Sequence, residues 1–435
     1  MSEKKSLLRK LISTAAGSGV IKIFGTGLAF LLFSLFARLL EQDEYGILAV
    51  GFSTALLLGT ITSLGQDSAV LRFWPSTEET LGREAANKVL LYSLKLVGSS
   101  CTTLLFLAVL FSLFNISPPG IKFDGTALLA VGVLACCYAL ANFASAALRA
   151  QGSVYWALIP MDMAWRVITL VSAYSLGIKT GQTATWMAAL VLLLVIVPQY
   201  KLLLGTLMKE SSRAGDAAKI TGTVSKIRKA TIGLWGIAIA NSVGQNAATI
   251  AVGATLGPAE AGGFFAATRL SQLMTIFLVA INQAFGPMLS RSWHSGRAGE
   301  ARTLYLGATI FSFLGALSIF IVFLVWGQHF LSLFGDTYTK FKPILVILSL
   351  GQLVNTACGP NRAFLMMIGR ERALFILVFL TSLALPIFLP ISTKIYGSMG
   401  AAMLVSSLLA ILNLAAVGLL YKAGFKTPIK PKQNR

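Results

Sequence analysis

Runs of about twenty apolar residues follow one another along nearly the whole of this 435-residue chain. A run of that length crosses a bilayer as a helix, and in lipid only helices and closed barrels satisfy every backbone group internally. Twelve runs stand out, at 14–40, 46–71, 89–114, 125–148, 156–177, 183–204, 231–256, 262–289, 303–327, 343–368, 374–393 and 397–421. The fold class predicted is an all-α polytopic membrane protein of about twelve transmembrane helices. With 12% charged residues against about 25% in a soluble protein and a mean hydropathy of +0.76, the composition agrees.

The pattern repeats. Ala37 opens A-R-L-L-E-Q-D-E-Y-G, and Ala254 opens A-T-L-G-P-A-E-A-G-G, 217 positions on; Arg72-Phe73-Trp74 is echoed by Arg291-Ser292-Trp293, 219 positions on. Likeness half a chain apart points to an internal duplication. Six spans per copy make the halves parallel repeats about an axis along the membrane normal, with a central cavity expected at their interface. The limits expected are an N-terminal lobe at 1–204, a basic linker at 205–230, a C-terminal lobe at 231–421 and a basic tail at 422–435. Prolines 160, 198, 287, 386 and 390 fall within or at the ends of spans, where kinks are expected.

A net charge of +20 would suggest nucleic acid in a soluble protein. Here the cations crowd into alternate loops: the N-terminus, 72–88, 149, 209–229, 291–302, 370–372 and 422–435. The positive-inside rule then accounts for the charge, places both termini in the cytoplasm and makes anionic lipid head groups the partners of these loops. The first span reads as an uncleaved signal anchor. Cys101, Cys136, Cys137 and Cys358 lie in apolar runs and read as small core residues, while His294 and His329 fall in loops, so no metal site and no cofactor are expected. No phosphate-binding glycine loop, zinc-protease motif or nucleophile elbow is present, which argues against an enzyme.

Ionisable residues inside the runs are the candidates for function, since a charge at mid-bilayer costs about 2.5–3.5 kcal/mol on insertion scales and usually faces a cavity or a partner. Asp162 and Arg166 stand four apart in the order that favours a same-face ion pair. Lys22, Lys95 and Arg269 have no visible carboxylate nearby. With Arg166 they would form an anion trap suited to a diphosphate, which guanidinium binds bidentately. Lys95 is also placed to snorkel to the interface, as are Arg38 and Lys201. Asp162 is the candidate for ion coupling, with membrane potential as the other source of drive. Asn241, Gln245, Gln283 and Asn355 offer amides to a glycan, or to neighbouring helices.

The hairpin A-R-L-L-x-x-x-E-Y-G followed by L-G-x-D-S-A-V-L-R-F resembles the start of Wzx-type polysaccharide and O-antigen flippases. Their superfamily also holds the peptidoglycan lipid flippase and the multidrug/toxic-compound extruders. The likeness continues through L-F-G-D-T-Y at 333–338 and M-x-x-G-R at 366–370. The resemblance implies transport of a polyprenyl-diphosphate-linked oligosaccharide across a bacterial inner membrane by alternating access, for O-antigen or exopolysaccharide biosynthesis, alongside other polysaccharide-assembly membrane proteins. In the related peptidoglycan lipid flippase, arginines of the first and eighth helices line a cationic cavity. Lys22 in V-I-K-I-F-G and Arg269 in A-A-T-R-L fall on such positions, with lysine at 22 keeping charge but losing the fork. Two alternatives stay open: a multidrug extruder, which calls for more buried carboxylate than amine, and a membrane-embedded glycan polymerase or glycosyltransferase, which calls for a large loop.

Overall fold

Apolar side chains with no water to bond the backbone leave the described residues helical apart from short turns. A computed structural model describes residues 2–114, 124–208 and 217–422; the linker's 209–216 and the tail from 423 onward lie outside the described residues. The helices are α1 Ser2–Leu39, α2 Gln42–Thr62, α3 Gln66–Leu81, α4 Arg83–Leu113, α5 Gly125–Ala150, α6 Val154–Ile159, α7 Trp165–Leu176, α8 Gly181–Met208, α9 Ala217–Leu256, α10 Pro258–Gln272, α11 Ile276–His294, α12 Ala298–Ser332, α13 Lys342–Ala357, α14 Asn361–Met367 and α15 Glu371–Leu420. A π-helical turn, Pro160–Ala164, joins α6 to α7, and 3-10 turns at Leu273–Thr275 and Asp336–Phe341 follow α10 and precede α13.

Ten stretches among the described residues are long and apolar enough to span a membrane. The longest, Glu371–Leu420, contains two expected spans, divided at Gly397, whose φ of 63° and ψ of −155° break the helix. The expected seventh span lies within α9, whose apolar character is diluted by Asn241, Ser242, Gln245 and Asn246. With that division and α9 included, the expected twelve are accounted for. Pro198, Pro386 and Pro390 lie inside continuous helices; the non-helical backbone within long helices falls at Trp326 and Gly397 instead.

The second span is shorter than expected. Leu64 (φ 49°) and Gly65 (φ 67°) turn the chain left-handed after Thr62, a conformation that glycine adopts without steric cost. A separate amphipathic helix, α3, then buries Gln66, Ala69, Val70, Trp74 and Thr77.

Contacts divide the described chain into two compact units, Leu31–Gly262 on one hand and Met1–Phe30 with Gly263–Arg435 on the other. The expected limits fell at the linker; the contacts place α9 with α2 and α3 instead. Trp235 of α9 covers the backbone at Gly65 and donates its Nε1 hydrogen to Ile61 O at 3.0 Å. In this unit the alanine-rich α5 touches α2, α3, α4, α6 and α8. Its small side chains allow close approach, which in lipid replaces hydrophobic drive as the source of packing. Trp74, Leu90, Val97, Cys101, Cys136, Phe143, Leu148 and Leu203 form the core there. All four cysteines are free and buried.

In the other unit α12 packs on α11 and α13, and α15 on α13 and α14. Phe364 meets Trp293 and Tyr305 with ring centroids 5.3 and 5.8 Å away, and the Tyr305 hydroxyl donates to Cys358 O at 2.7 Å. Large apolar side chains point outward along both units, among them Phe106, Leu194, Phe311 and Phe379. Such a surface would aggregate in water and suits a hydrocarbon surround.

Candidate functional site

Pro160 organises the first charged cluster. Having no N–H, it leaves the carbonyl of Trp156 without its helical partner, and the backbone relaxes into the π-helical turn. The completely buried Gln199 takes up the slack, its Nε2 donating to Trp156 O at 2.9 Å and Ala157 O at 3.3 Å. Single π turns recur at functional positions, and this one carries Asp162, 7% exposed.

Arg166 follows one turn later. Its Nη1 donates to the main-chain oxygen of Asp162 at 2.6 Å and lies 3.9 Å from the carboxylate Oδ1. The guanidinium sits 5.7 Å from the Trp165 ring centroid, and Trp165 stacks on Phe52 at 6.3 Å. Arg149, in the last turn of α5, bonds Ser145 O through Nε at 3.3 Å and lies within electrostatic reach of both Asp162 and Asp67. Two acids and two arginines thus gather where three irregular points meet: the α2–α3 turn, the end of α5 and the π-helical turn.

Burial holds the Asp67 carboxyl above the ordinary carboxylate value of 3.8, opposed by hydrogen bonds from the backbone N–H groups of Ser68 and Asp67 and by attraction to Arg149. A carboxyl raised in the fold binds its proton more tightly there than in the unfolded chain. The stabilisation is therefore fully present below pH 3.8 and is lost as pH rises through the raised value. Compared with Asp67→Asn, wild type should lose thermal stability on going from that acid range to neutral pH. A melting-point difference independent of pH would contradict this.

The second group of cations lies in the other unit. Lys22 is half-buried on α1, and its carbonyl accepts a hydrogen bond from Thr26 Oγ1 at 2.9 Å. Arg269 is half-buried on α10, with Nη1 donating to Gln272 Oε1 at 3.1 Å and its guanidinium 4.3 Å above the Phe265 ring. The sequence grouped Lys22, Arg166 and Arg269. The structure puts Lys22 and Arg269 in one unit and engages Arg166 with Asp162 in the other. Lys95 is exposed on α4.

Among the amides, Asn241 is half-buried and Gln245 exposed on α9, while Asn355 is buried and donates to Gln352 Oε1 on its own helix at 3.1 Å. The Gln283 side chain lies outside the described residues. Among the described residues no three His, Cys, Asp or Glu side chains converge on a metal position. Sequence reasoning passed over Gln199, Arg149 as a partner of two acids, and Arg362. The signals available were a glutamine next to Pro198 and cations close to span ends.

A polytopic bundle in two compact units, with its few intramembrane charges at specific helix positions, is that of a multi-pass membrane protein. The chain belongs to the polysaccharide biosynthesis protein family, whose profile matches residues 11–293. It is 22% identical over 376 residues to the succinoglycan biosynthesis transport protein ExoT of Rhizobium meliloti (strain 1021), covering 84% of this chain and 71% of that one. Its fold is similar to a crystal structure of MATE in complex with MaL6, with a TM-score of 0.65 and 18% identity over 96% of this chain and 97% of that one. It is also similar to the outward-facing conformation of a multidrug resistance MATE family transporter of the MOP superfamily (TM-score 0.61, 15% identity, 96% of each chain). At those identities the likeness is one of fold. The Wzx-type flippase family and the all-α transporter fold read from the sequence are the ones found, and the family is one of transport proteins rather than enzymes.

Proposed function

We propose that this chain flips a polyprenyl-diphosphate-linked oligosaccharide from the cytoplasmic to the periplasmic leaflet of a bacterial inner membrane, with both termini in the cytoplasm. The observation that carries the reading is a charge imbalance within one unit. Its carboxylates, Glu3, Glu300, Asp336 and Glu371, belong to the N-terminal segment or the first turns of helices, whereas Lys22 and Arg269 lie inside the apolar stretches Gly17–Leu39 and Pro258–Asn282. Excess positive charge in a low-dielectric interior favours an anionic passenger. A diphosphate fits it, and the lipid tail stays in the bilayer. Lys95, being exposed, is left to anionic head groups. Asp162, the one carboxylate deep in the other unit's spans, is the acid to which this reading assigns ion coupling.

The test is surface glycan export in cells that depend on this chain. Arg269→Ala and Lys22→Ala should each reduce export at least about tenfold, the scale of one charge-assisted hydrogen bond, with membrane levels of the protein unchanged. Lys22→Arg should preserve it. Wild-type export in both alanine variants would reject the site. The extruder reading gains nothing from the buried charges, because Asp162 is engaged by Arg166 rather than open to a cationic drug.

A further inference from the structure

Arg362 sits about six residues before the end of the run expected at 343–368, close enough to pass for an interface anchor. The structure places it differently. The apolar helix stops at Ala357, turns through Cys358, Gly359 and Pro360, and restarts as α14 with Asn361 and Arg362 in its first turn. Asn361 is 1% exposed and donates through Nδ2 to Asn413 O at 3.1 Å and Asn413 Oδ1 at 3.2 Å. Its own Oδ1 accepts the main-chain N–H of Arg362 at 2.5 Å. Asn413 is in turn fixed to Leu409 O at 2.9 Å. The backbone of residue 362 is thereby pinned to α15, while Phe364 anchors α14 against Trp293 and Tyr305.

The side chain on that pinned backbone is half-buried in the candidate span Asp336–Met367. Among the described residues its guanidinium makes no hydrogen bond or ion pair. The carboxylates of the same unit stand at other helix starts. A guanidinium has five donors and cannot shed its charge. Desolvating it without an acceptor is costly, and no described residue supplies one. A neutral residue on the same backbone would avoid that cost, so the fold holds a half-buried cation on a fixed backbone, a place suited to an anion from outside the polypeptide. In a membrane that anion is a phosphate, whose geometry matches the planar fork.

We propose that Arg362 is a phosphate-binding residue, held for that purpose by the Asn361–Asn413 pair. Two membrane sources present the same chemistry: the diphosphate of the cargo, which rests on the function proposed above, and the phosphodiester of an anionic lipid, which does not.

The experiment uses the full chain in nanodiscs. In discs of phosphatidylcholine alone, farnesyl diphosphate serves as a short polyprenyl diphosphate probe. Arg362→Gln should raise its Kd by about ten- to a hundredfold, the worth of a hydrogen bond to a charged group. Arg362→Lys, which keeps charge and loses the fork, should raise it less, and the exposed Arg302→Gln should leave it unchanged. In discs that also contain phosphatidylglycerol, native mass spectrometry counts the retained lipids; loss of one in Arg362→Gln would assign the phosphate to a head group. Either change supports the site, and Arg362→Gln matching wild type in both arms overturns it. If wild type fails to bind farnesyl diphosphate, the cargo reading falls and the phosphatidylglycerol arm alone decides Arg362, retention of every lipid in Arg362→Gln then overturning the site.

Discussion

Replacing Gly46 with alanine is expected to destabilise the fold by about 3 kcal/mol, the upper end of the range for overpacking a tight contact. A Cβ at residue 46 would lie 1.8 Å from Pro258 O and 2.2 Å from Pro258 C. These are backbone atoms, so no side-chain rotation relieves the overlap, and the start of α10 itself has to move. The neighbouring contacts resist such a shift: Gln42 Nε2 donates to Ala259 O at 3.4 Å, and Glu44 Oε2 accepts the N–H of Gly181, at the start of α8, at 2.7 Å. The residues involved are the two copies of the duplicated motif, 217 positions apart, packed on one another within one unit. Gly98→Ala supplies the comparison, since nothing lies within 4 Å of a Cβ there and alanine favours a helix by about 0.5–1 kcal/mol over glycine. Thermal unfolding in detergent should separate the two variants by well over the error of the method. Equal melting points would show that α10 yields freely and that the contact carries no stability.

That contact shows how far the sequence could be read. The repeat was legible because its copies share residue types, but nothing in the letters says that two copies touch; that depends on how close α2 and α10 approach, which a missing Cβ at 46 permits. Span number and fold class were legible because hydrocarbon demands length and apolarity, and both are local properties. The end of the second span was not: polar Gln66 and Asp67 follow Gly65 directly, but the apolar Ala69, Val70 and Leu71 beyond them carried the expected limit past the left-handed turn. The pairing of Asp162 with Arg166 was legible from a spacing of four. The reach of Arg149 to Asp162 and Asp67 was not, because it joins three helices. Arg362 was missed for a related reason: distance along the chain to a span end says nothing about whether the turn at Gly359 and Pro360 folds the side chain inward.

The Asp162–Arg166 pair carries the other large effect. Removing one partner of a buried ion pair costs about 3–5 kcal/mol, because the remaining charge stays buried, and here the carboxylate and guanidinium side chains are only 10% and 19% exposed. The two single variants should differ. Arg166→Gln strands an anion whose remaining cation within reach is Arg149, whereas Asp162→Asn leaves Arg166 its short bond to the main-chain oxygen of residue 162, which any residue there supplies. Arg166→Gln should therefore fall at the upper end of that range and Asp162→Asn below it. The double variant Asp162→Asn/Arg166→Gln should lie well short of their sum, and additive losses would deny the pairing. The same variants separate a structural role from the coupling role proposed for Asp162. A purely structural pair would let the double variant recover flipping along with stability. If Asp162 carries the coupled proton, vesicles holding Asp162→Asn or the double variant should show no acceleration by a pH gradient, however stable the protein. Equal acceleration in wild type and Asp162→Asn would remove Asp162 from coupling and leave it as the counter-charge that lets an arginine sit beside a π-helical turn inside the membrane.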